Sequence, residues 1–212
     1  MRTIEKTVYK FNELSETAKE KAIENYRESN DDFSFQSDAI VSDCADIAEL
    51  FGLDIRQTVK KNGKGERIYT PTVYWSGFYS QCDGACFEGN YSYSKKGALK
   101  AVKAYAPRDT ELHAIVKILQ DIQKRYFYGL RANIAHSGRY YHEHCMNIDV
   151  EHIEGLDIPE SVQEDMAECF RDFARWIYKR LETEWEYLNT DGYISEELEA
   201  MDCEFYEDGE MI

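Results

Sequence analysis

Two histidines and three cysteines are the side chains best suited to bind a metal ion or activate a nucleophile. His142 and His144 would share one face of a strand, Cys145 follows them directly, and Cys82 and Cys86 lie in a glycine-containing segment. Zinc takes four such ligands, but Cys-x3-Cys combined with His-x-His does not have the spacing of a structural zinc motif. The pattern therefore predicts a pair of histidines at the rim of the core, with no metal ion and no cofactor.

A second group of candidates surrounds the segment Ser76–Gly89, SGFYSQCDGACFEG. Its glycines permit positive φ or a close approach of backbone. Two interpretations have equal weight: a loop that binds a ligand or partner, or an ordinary long hairpin with a turn at Asp83-Gly84. An enzyme would place its active site between this loop and the strand that carries the two histidines. The candidate residues are Trp75, Phe78, Tyr79, Asp83, His142 and His144.

Other catalytic signatures are missing from the sequence. It contains neither a GxSxG nucleophile elbow nor a GxxxxGK[ST] phosphate-binding loop, as the printed residues show. Its 41 acidic residues are too many for one pair to stand out for acid–base catalysis. We therefore favour a protein without catalytic activity and keep an enzyme as the alternative.

The charge is distributed unevenly along the chain. The net charge is −16, and residues 151–212 contain 20 acidic and 4 basic residues, whereas residues 1–150 contain 21 of each. After Arg180 there are 12 acidic residues and no Lys or Arg. Several of these carboxylates fall at the C-terminal end of a predicted helix, where the helix dipole prefers cations. One-sided charge in such a place indicates a binding surface, although a role in solubility alone is the alternative.

A folded array of carboxylates can imitate the charge of a phosphate backbone. The expected partner is a protein with a basic, nucleic-acid-binding surface, and direct binding of nucleic acid is not expected because phosphates would repel the carboxylates. Three aromatic residues would anchor the partner or belong to the core. The predicted partner-binding residues are Glu182, Glu184, Glu186, Asp191, Glu196, Glu197 and Glu199, with Trp185, Tyr187 and Tyr193.

The helix and strand signals predict a single α+β domain over residues 1–212, with a mainly antiparallel sheet of hairpins packed against several helices. Apolar residues at helical spacing predict a long amphipathic helix from about Ser161 to Leu188, and Gly52 is placed to end an earlier helix. Thr3–Phe11 reads as a strand, and Val59–Arg67 (VKKNGKGER) as a basic loop or hairpin tip.

The sequence gives no sign of a membrane or secreted protein. It has no run of about 18 apolar residues and no apolar N-terminal signal segment, and its six cysteines are scattered along the chain. We therefore expect a cytoplasmic protein with reduced thiols and no membrane partner.

Four stretches of the chain resemble a family of small acidic accessory proteins encoded by tailed bacteriophages. They are Val8–Ser15 with Ala18-Lys19, Trp75–Phe78 with Asp83–Phe87, His136–His142, and Glu204–Gly209. The resemblance implies a phage protein that acts in the bacterial cytoplasm, and by analogy one that inhibits a host defence enzyme. The expected function is non-enzymatic blocking of such a partner. The alternatives are the enzyme described above and an antitoxin-like neutraliser, which would use the same mechanism on a toxin.

Overall fold

Groups of helices and groups of antiparallel strands follow one another along the described part of the chain. The structure is a computed structural model that describes residues 6–30, 32–61, 63–95 and 97–212. The helices are α1 (Glu16–Ser29), α2 (Ser34–Phe51), α3 (Ala98–Tyr105), α4 (Thr110–Arg125), α5 (Glu160–Leu188) and α6 (Asp191–Ala200). The strands are β1 (Tyr9–Lys10), β2 (Leu53–Ile55), β3 (Gln57–Lys61), β4 (Arg67–Pro71), β5 (Val73–Ser76), β6 (Gly84–Phe87), β7 (Gly89–Ser92), β8 (Leu130–His136), β9 (Met146–His152) and β10 (Glu204–Phe205). The predicted α+β class, antiparallel pairing and long C-terminal helix are confirmed.

The contacts within the chain divide it into two compact units. The larger unit comprises residues 36–182, and the smaller unit joins residues 1–35 to residues 183–212. Helix α5 therefore belongs to the larger unit through Glu182 and contributes its last turns to the smaller one.

The larger unit contains a four-stranded antiparallel sheet in the order β2-β7-β8-β9. Its strands bury alternate residues, as the period of two in the sequence requires; in β8, Leu130, Ala132 and Ile134 are buried. Against this core, Phe173 of α5 makes edge contacts with Phe51 and Phe87. Full burial of such a ring stabilises the fold by about 1.5–3 kcal/mol, so the predicted apolar stripe of α5 is what holds the helix in place.

Arg56, Thr72 and Glu88 form a junction at which three strand pairs meet, each of these residues lying between two strands. Arg56 N–H donates to the carbonyl of Glu88 (2.8 Å), Glu88 N–H to that of Thr72 (3.0 Å), and Thr72 N–H to that of Arg56 (2.7 Å). On one side of this closed ring β2 pairs with β7, on another β5 pairs with β6, and on the third β3 pairs with β4. The junction therefore releases β3 and β4 as a separate two-stranded ribbon.

The smaller unit builds its core from both ends of the chain. Ser15 caps α1 by accepting a hydrogen bond from the N–H of Ala18 (3.3 Å). Phe11 then packs 6.0 Å from Phe205, measured between ring centroids. The buried residues of this core are Phe11, Leu14, Ala18, Ala22, Ile23, Ile194, Leu198 and Phe205. Residues from about 190 positions apart thus share one core, so neither terminal segment holds it alone.

Two local predictions are wrong in their extent. The strand predicted over Thr3–Phe11 is only Tyr9–Lys10, because a 3₁₀ turn begins at Phe11; residues 3–5 of that prediction lie outside the described residues, as do Asn62 and Lys96. The Asp191-Gly192 dipeptide predicts a turn between two helices but opens α6 instead, because Thr190 caps the helix by accepting a hydrogen bond from Tyr193 N–H (3.3 Å).

Candidate functional site

The negative charge of the protein follows the division into two units. The smaller unit contains 19 acidic and 6 basic residues, a net charge of −13, whereas the larger contains 22 and 19, a net charge of −3. The acidic residues of 151–182 belong to the larger unit, where basic residues balance most of them. The charge is thus concentrated in 65 residues drawn from both ends of the chain.

The structure exposes four of the seven predicted partner-binding carboxylates. Glu186 lies near the end of α5, and Asp191, Glu196 and Glu199 lie on α6. The other three, Glu182, Glu184 and Glu197, are half-buried. Glu182 belongs to the larger unit, and the other six belong to the smaller one.

Basic residues of the N-terminal segment neutralise part of this acidic surface. Arg27 lies 2.6 Å from Asp191, Lys21 lies 2.7 Å from Asp208, and Lys10 lies 3.1 Å from Asp202, each measured between nitrogen and oxygen. Asp191 is therefore already paired inside the smaller unit. Glu186, Glu196 and Glu199 have no ion pair among the described residues, so they are the predicted carboxylates whose charge a partner can use.

Two of the predicted aromatic residues lie together in the same unit as these carboxylates. The rings of Tyr187 and Tyr193 are 5.2 Å apart, and the Tyr187 side chain is exposed. Tyr193 is half-buried, and burial together with the nearby Glu197 carboxylate raises the pKa of its hydroxyl. Trp185 is also half-buried. An aromatic pair bordered by carboxylates can contact both the apolar stems and the charged heads of Lys and Arg.

The fold also brings together part of the alternative candidate, an active site between the glycine-containing segment and the two histidines. A Cβ atom on Gly84 would lie 2.7 Å from the Cβ of His142, so the two residues pack directly. The predicted strand carrying His142 and His144 is wrong, however: His142 precedes a 3₁₀ turn at Glu143–Cys145, and β9 begins only at Met146. The backbone turns just before β9, where Cys145 N–H donates to the carbonyl of His142 (2.9 Å) and closes the 3₁₀ turn.

The predicted loop Ser76–Gly89 is shorter than the sequence suggested. Only residues 77–83 connect the strands, since Gly84–Phe87 forms strand β6 and all four of its residues are buried. Within the loop, the Asp83 carboxylate accepts hydrogen bonds from Ser80 N–H (2.6 Å), Tyr79 N–H (3.0 Å) and the Ser76 hydroxyl (3.2 Å). Asp83 therefore shapes the loop.

Aromatic stacking holds the same loop against α5. The ring of Phe78 lies 5.5 Å from both Trp75 and Tyr178, and the Tyr178 hydroxyl donates to the carbonyl of Gly77 (2.9 Å). Burial, with the Glu182 and Asp83 carboxylates nearby, raises the pKa of Tyr178 to about 12. Tyr79, in contrast, is 83% exposed. Trp75 and Phe78 thus serve packing, and Tyr79 is the predicted loop aromatic that remains accessible.

His142 and Cys145 are in contact, as a nucleophile and its base would be. The His142 Nε2 atom lies 3.4 Å from the Cys145 sulfur. His142 Nδ1, however, accepts a hydrogen bond from His144 N–H (3.2 Å), which places the ring proton on Nε2 in the neutral imidazole. In that tautomer Nε2 donates to sulfur and is not the base that would take the thiol proton.

The two cysteines considered as metal ligands in the glycine-containing segment lie in different environments. Cys86 is buried, which raises the pKa of its thiol to about 12, whereas Cys82 is exposed. Among residues 6–30, 32–61, 63–95 and 97–212, no group of three or more His, Cys, Asp and Glu side chains is arranged to hold a metal ion. Over the same residues, no helix has the length and apolar character needed to cross a bilayer.

A further candidate is a basic two-stranded ribbon formed by β3 and β4. The sequence predicted only a basic loop or hairpin tip over part of this segment. Strands β3 and β4 pair over five residues each, from Gln57↔Pro71 to Lys61↔Arg67. Every residue of β3 is exposed, as are Arg67, Ile68 and Tyr69 of β4. The signal that marks both strands is the presence of β-branched and aromatic residues on either side of the glycines.

These features define a class: an α+β protein of antiparallel hairpins, with an acidic unit built from its two ends and a basic ribbon on the other unit. The chain belongs to the family described as Domain of unknown function (DUF8835), whose model matches residues 37–191. The match runs through the larger unit and ends at the start of α6. No curated protein matched the chain, and no solved structure did.

Proposed function

We propose that this is a non-enzymatic phage protein whose acidic surface binds and blocks a basic, nucleic-acid-binding surface of a host defence protein. The observation that carries the proposal is the net charge of −13 on the 65-residue smaller unit. Such a charge attracts a basic surface over a distance and raises the rate of encounter. The phage and host context comes from the sequence resemblance.

The folded state of the acidic unit supports the proposal. Core residues from both chain ends hold α6, and Thr190 caps its first turn. A rigid array loses little conformational freedom on binding, whereas a disordered acidic tail would lose much more. The array is therefore suited to fit a groove that normally holds a nucleic-acid backbone.

The chemistry of the surface defines the kind of partner. Glu186, Glu196 and Glu199 offer charge, and the exposed ring of Tyr187 offers an apolar anchor in the same unit. Aromatic anchors surrounded by polar groups are typical binding hot spots. A groove lined by Lys and Arg matches both features.

Four exposed carboxylates of the smaller unit provide the test. The variant Glu186→Gln, Glu196→Gln, Glu199→Gln, Glu207→Gln is compared with wild type in binding to the protein that co-purifies from infected cells. Removing four of the charges should slow association by about tenfold at low salt and flatten its salt dependence. The matched control, Glu151→Gln, Glu154→Gln, Glu160→Gln, Glu164→Gln, changes the net charge equally on exposed residues of the larger unit.

Competition decides whether the partner is blocked. The wild-type protein should displace a labelled DNA or RNA duplex from the captured partner, and the smaller-unit variant should do so less well. If the smaller-unit variant and the control variant associate with the partner at equal rates, the acidic unit is only a solvated surface. A captured toxin without a nucleic-acid-binding surface would overturn the proposal in favour of the antitoxin-like role.

A further inference from the structure

The ribbon of β3 and β4 exposes apolar side chains that a solvated hairpin does not need. Val59 is 51% exposed, Ile68 48% and Tyr69 59%. The hydrogen-bonded junction at Arg56, Thr72 and Glu88 fixes the base of the ribbon, and the hydroxyls of Thr58 and Thr72 lie 3.0 Å apart beside it. The ribbon is therefore a defined arm with accessible apolar residues.

The same arm carries a local positive charge. Residues 57–71 contain Lys60, Lys61, Lys64 and Arg67 against the single acidic residue Glu66, a net charge of +3. Lys60, Lys61 and Arg67 form no ion pair with a described acidic residue. In a chain of net charge −16, this arm is a strong local departure from the average.

The strand register places the positive charges on both faces of the ribbon. Residues directly opposite each other in an antiparallel pair share a face, so Lys61 and Arg67 lie on one face with the pair Val59 and Tyr69. Lys60 pairs with Ile68, and the alternation of side chains puts this pair on the other face. Each face thus combines basic and apolar groups.

We propose that this ribbon binds a nucleic-acid duplex by entering one of its grooves. A groove presents phosphates on both walls, which matches an arm with cations on both faces, and a two-stranded ribbon has the width that a DNA major groove admits. An acidic protein surface would contact one face and leave the other cations without a partner. The inference does not rest on the proposed function. For the ribbon, it replaces the expectation, based on the net charge of the chain, that the protein does not bind nucleic acid directly.

The number of cations on the ribbon predicts how steeply its binding to a duplex depends on salt. About three phosphate contacts give a salt slope near −2.7, so affinity should fall about 40-fold between 50 and 200 mM salt. The probe is a fluorescently labelled 20-base-pair duplex, as DNA and as RNA, titrated with the full-length protein and followed by fluorescence anisotropy. Wild type should bind with a micromolar Kd at 50 mM salt.

A matched pair of variants separates local from total charge. Lys60→Gln, Lys61→Gln, Arg67→Gln should weaken binding at least tenfold and flatten the salt slope. Lys100→Gln, Lys103→Gln, Arg108→Gln removes the same charge from exposed positions in and after α3 and should bind like wild type. Tyr69→Ala should weaken binding without changing the salt slope, because it removes an apolar contact in the groove but no charge.

Three results would overturn the inference. They are no binding of either duplex at 100 μM protein and 50 mM salt, equal weakening by both triple variants, and displacement of the duplex by poly-L-glutamate at equal charge, which would point to an acidic protein partner. Circular dichroism and thermal melts establish that the variants are folded. The single variants Lys61→Gln and Arg67→Gln supply the same comparison if the triple variant does not fold.

Discussion

The Asp83 carboxylate links the shape of its loop to pH. The hydrogen bond from Ser80 N–H, with those from Tyr79 N–H and the Ser76 hydroxyl, holds the pKa of Asp83 below its ordinary value. A carboxyl group whose pKa is lower in the folded than in the unfolded chain stabilises the fold above the unfolded pKa, about 3.9 for Asp. That contribution is lost as the pH falls through the folded pKa.

Asp83→Asn should therefore destabilise the protein at neutral pH but not in acid. We expect the melting temperature to fall by about 2–4 °C at pH 7, because the charged acceptor of three hydrogen bonds is lost. The difference from wild type should shrink as the pH falls below about 4 and should disappear once the pH has fallen through the lowered folded pKa of Asp83. Thermal melts at pH 7 and pH 3 measure this, with Asp157→Asn on an exposed residue as the control. A difference that is the same at both pH values would show that the charge is unimportant.

The turn between α4 and β8 holds two residues in a strained backbone conformation, and only one of them has a packed ring. Phe127 and Tyr128 have φ values of +52° and +62°, a region that residues other than glycine seldom adopt. The Tyr128 N–H reaches back to the carbonyl of Gln123 (2.8 Å), and the Gln123 side chain donates to the carbonyl of Leu130 (2.7 Å). Phe127 is 90% exposed, so its ring returns little packing energy.

Phe127→Gly should make the protein more stable. Glycine adopts the left-handed region without steric cost, and relief of about 1 kcal/mol raises the melting temperature of a protein of this size by about 2–4 °C. Tyr128→Gly is the comparison: its gain should be smaller because the Tyr128 ring lies 4.3 Å from Tyr93 and that contact is lost. Calorimetry measures both. A lower melting temperature for Phe127→Gly would mean that the ring packs usefully after all.

Local patterns predicted the elements that local interactions determine. The stripe of α5 and the position of Gly52, whose φ is +95° after α2, could be predicted from spacing and residue type. Gly129 follows a helical pattern and predicts the end of α4, but the helix stops at Arg125 and the two strained residues lie between them. The junction of Arg56, Thr72 and Glu88 could not be predicted, since it consists of backbone hydrogen bonds between residues at least 16 positions apart.

At the scale of the whole molecule, the acidic region was only partly predictable. Its C-terminal part is evident in the sequence, because bases are absent after Arg180. Its N-terminal part is not, because residues 1–35 have a nearly balanced charge and join the acidic unit only through the folded core. For the same reason the pairing of Asp191 with Arg27 could not be predicted from composition along the chain.

Like-charge repulsion within the smaller unit should make the stability of the protein depend on salt. The smaller unit contains 19 acidic residues and only 6 basic ones, so repulsion between carboxylates outweighs the attraction within ion pairs such as Lys21–Asp208. The Debye length falls from about 30 Å at 0.01 M to about 10 Å at 0.1 M, which screens repulsion between charges across a unit of this size. We therefore expect the melting temperature to rise by several degrees when NaCl increases from 0.01 to 0.3 M.

The two charge-neutralising variants of equal net charge locate the source of that repulsion. At 0.01 M NaCl the smaller-unit variant, in which Glu186, Glu196, Glu199 and Glu207 are replaced by Gln, should melt at a higher temperature than wild type and gain less from added salt. The variant with four replacements in the larger unit should follow the salt dependence of wild type, because basic residues already balance that unit. NaCl is preferred to sulfate, since sulfate stabilises burial of apolar surface independently of charge. If salt lowers the melting temperature of wild type, the ion pairs between the two chain ends contribute more to stability than the repulsion removes.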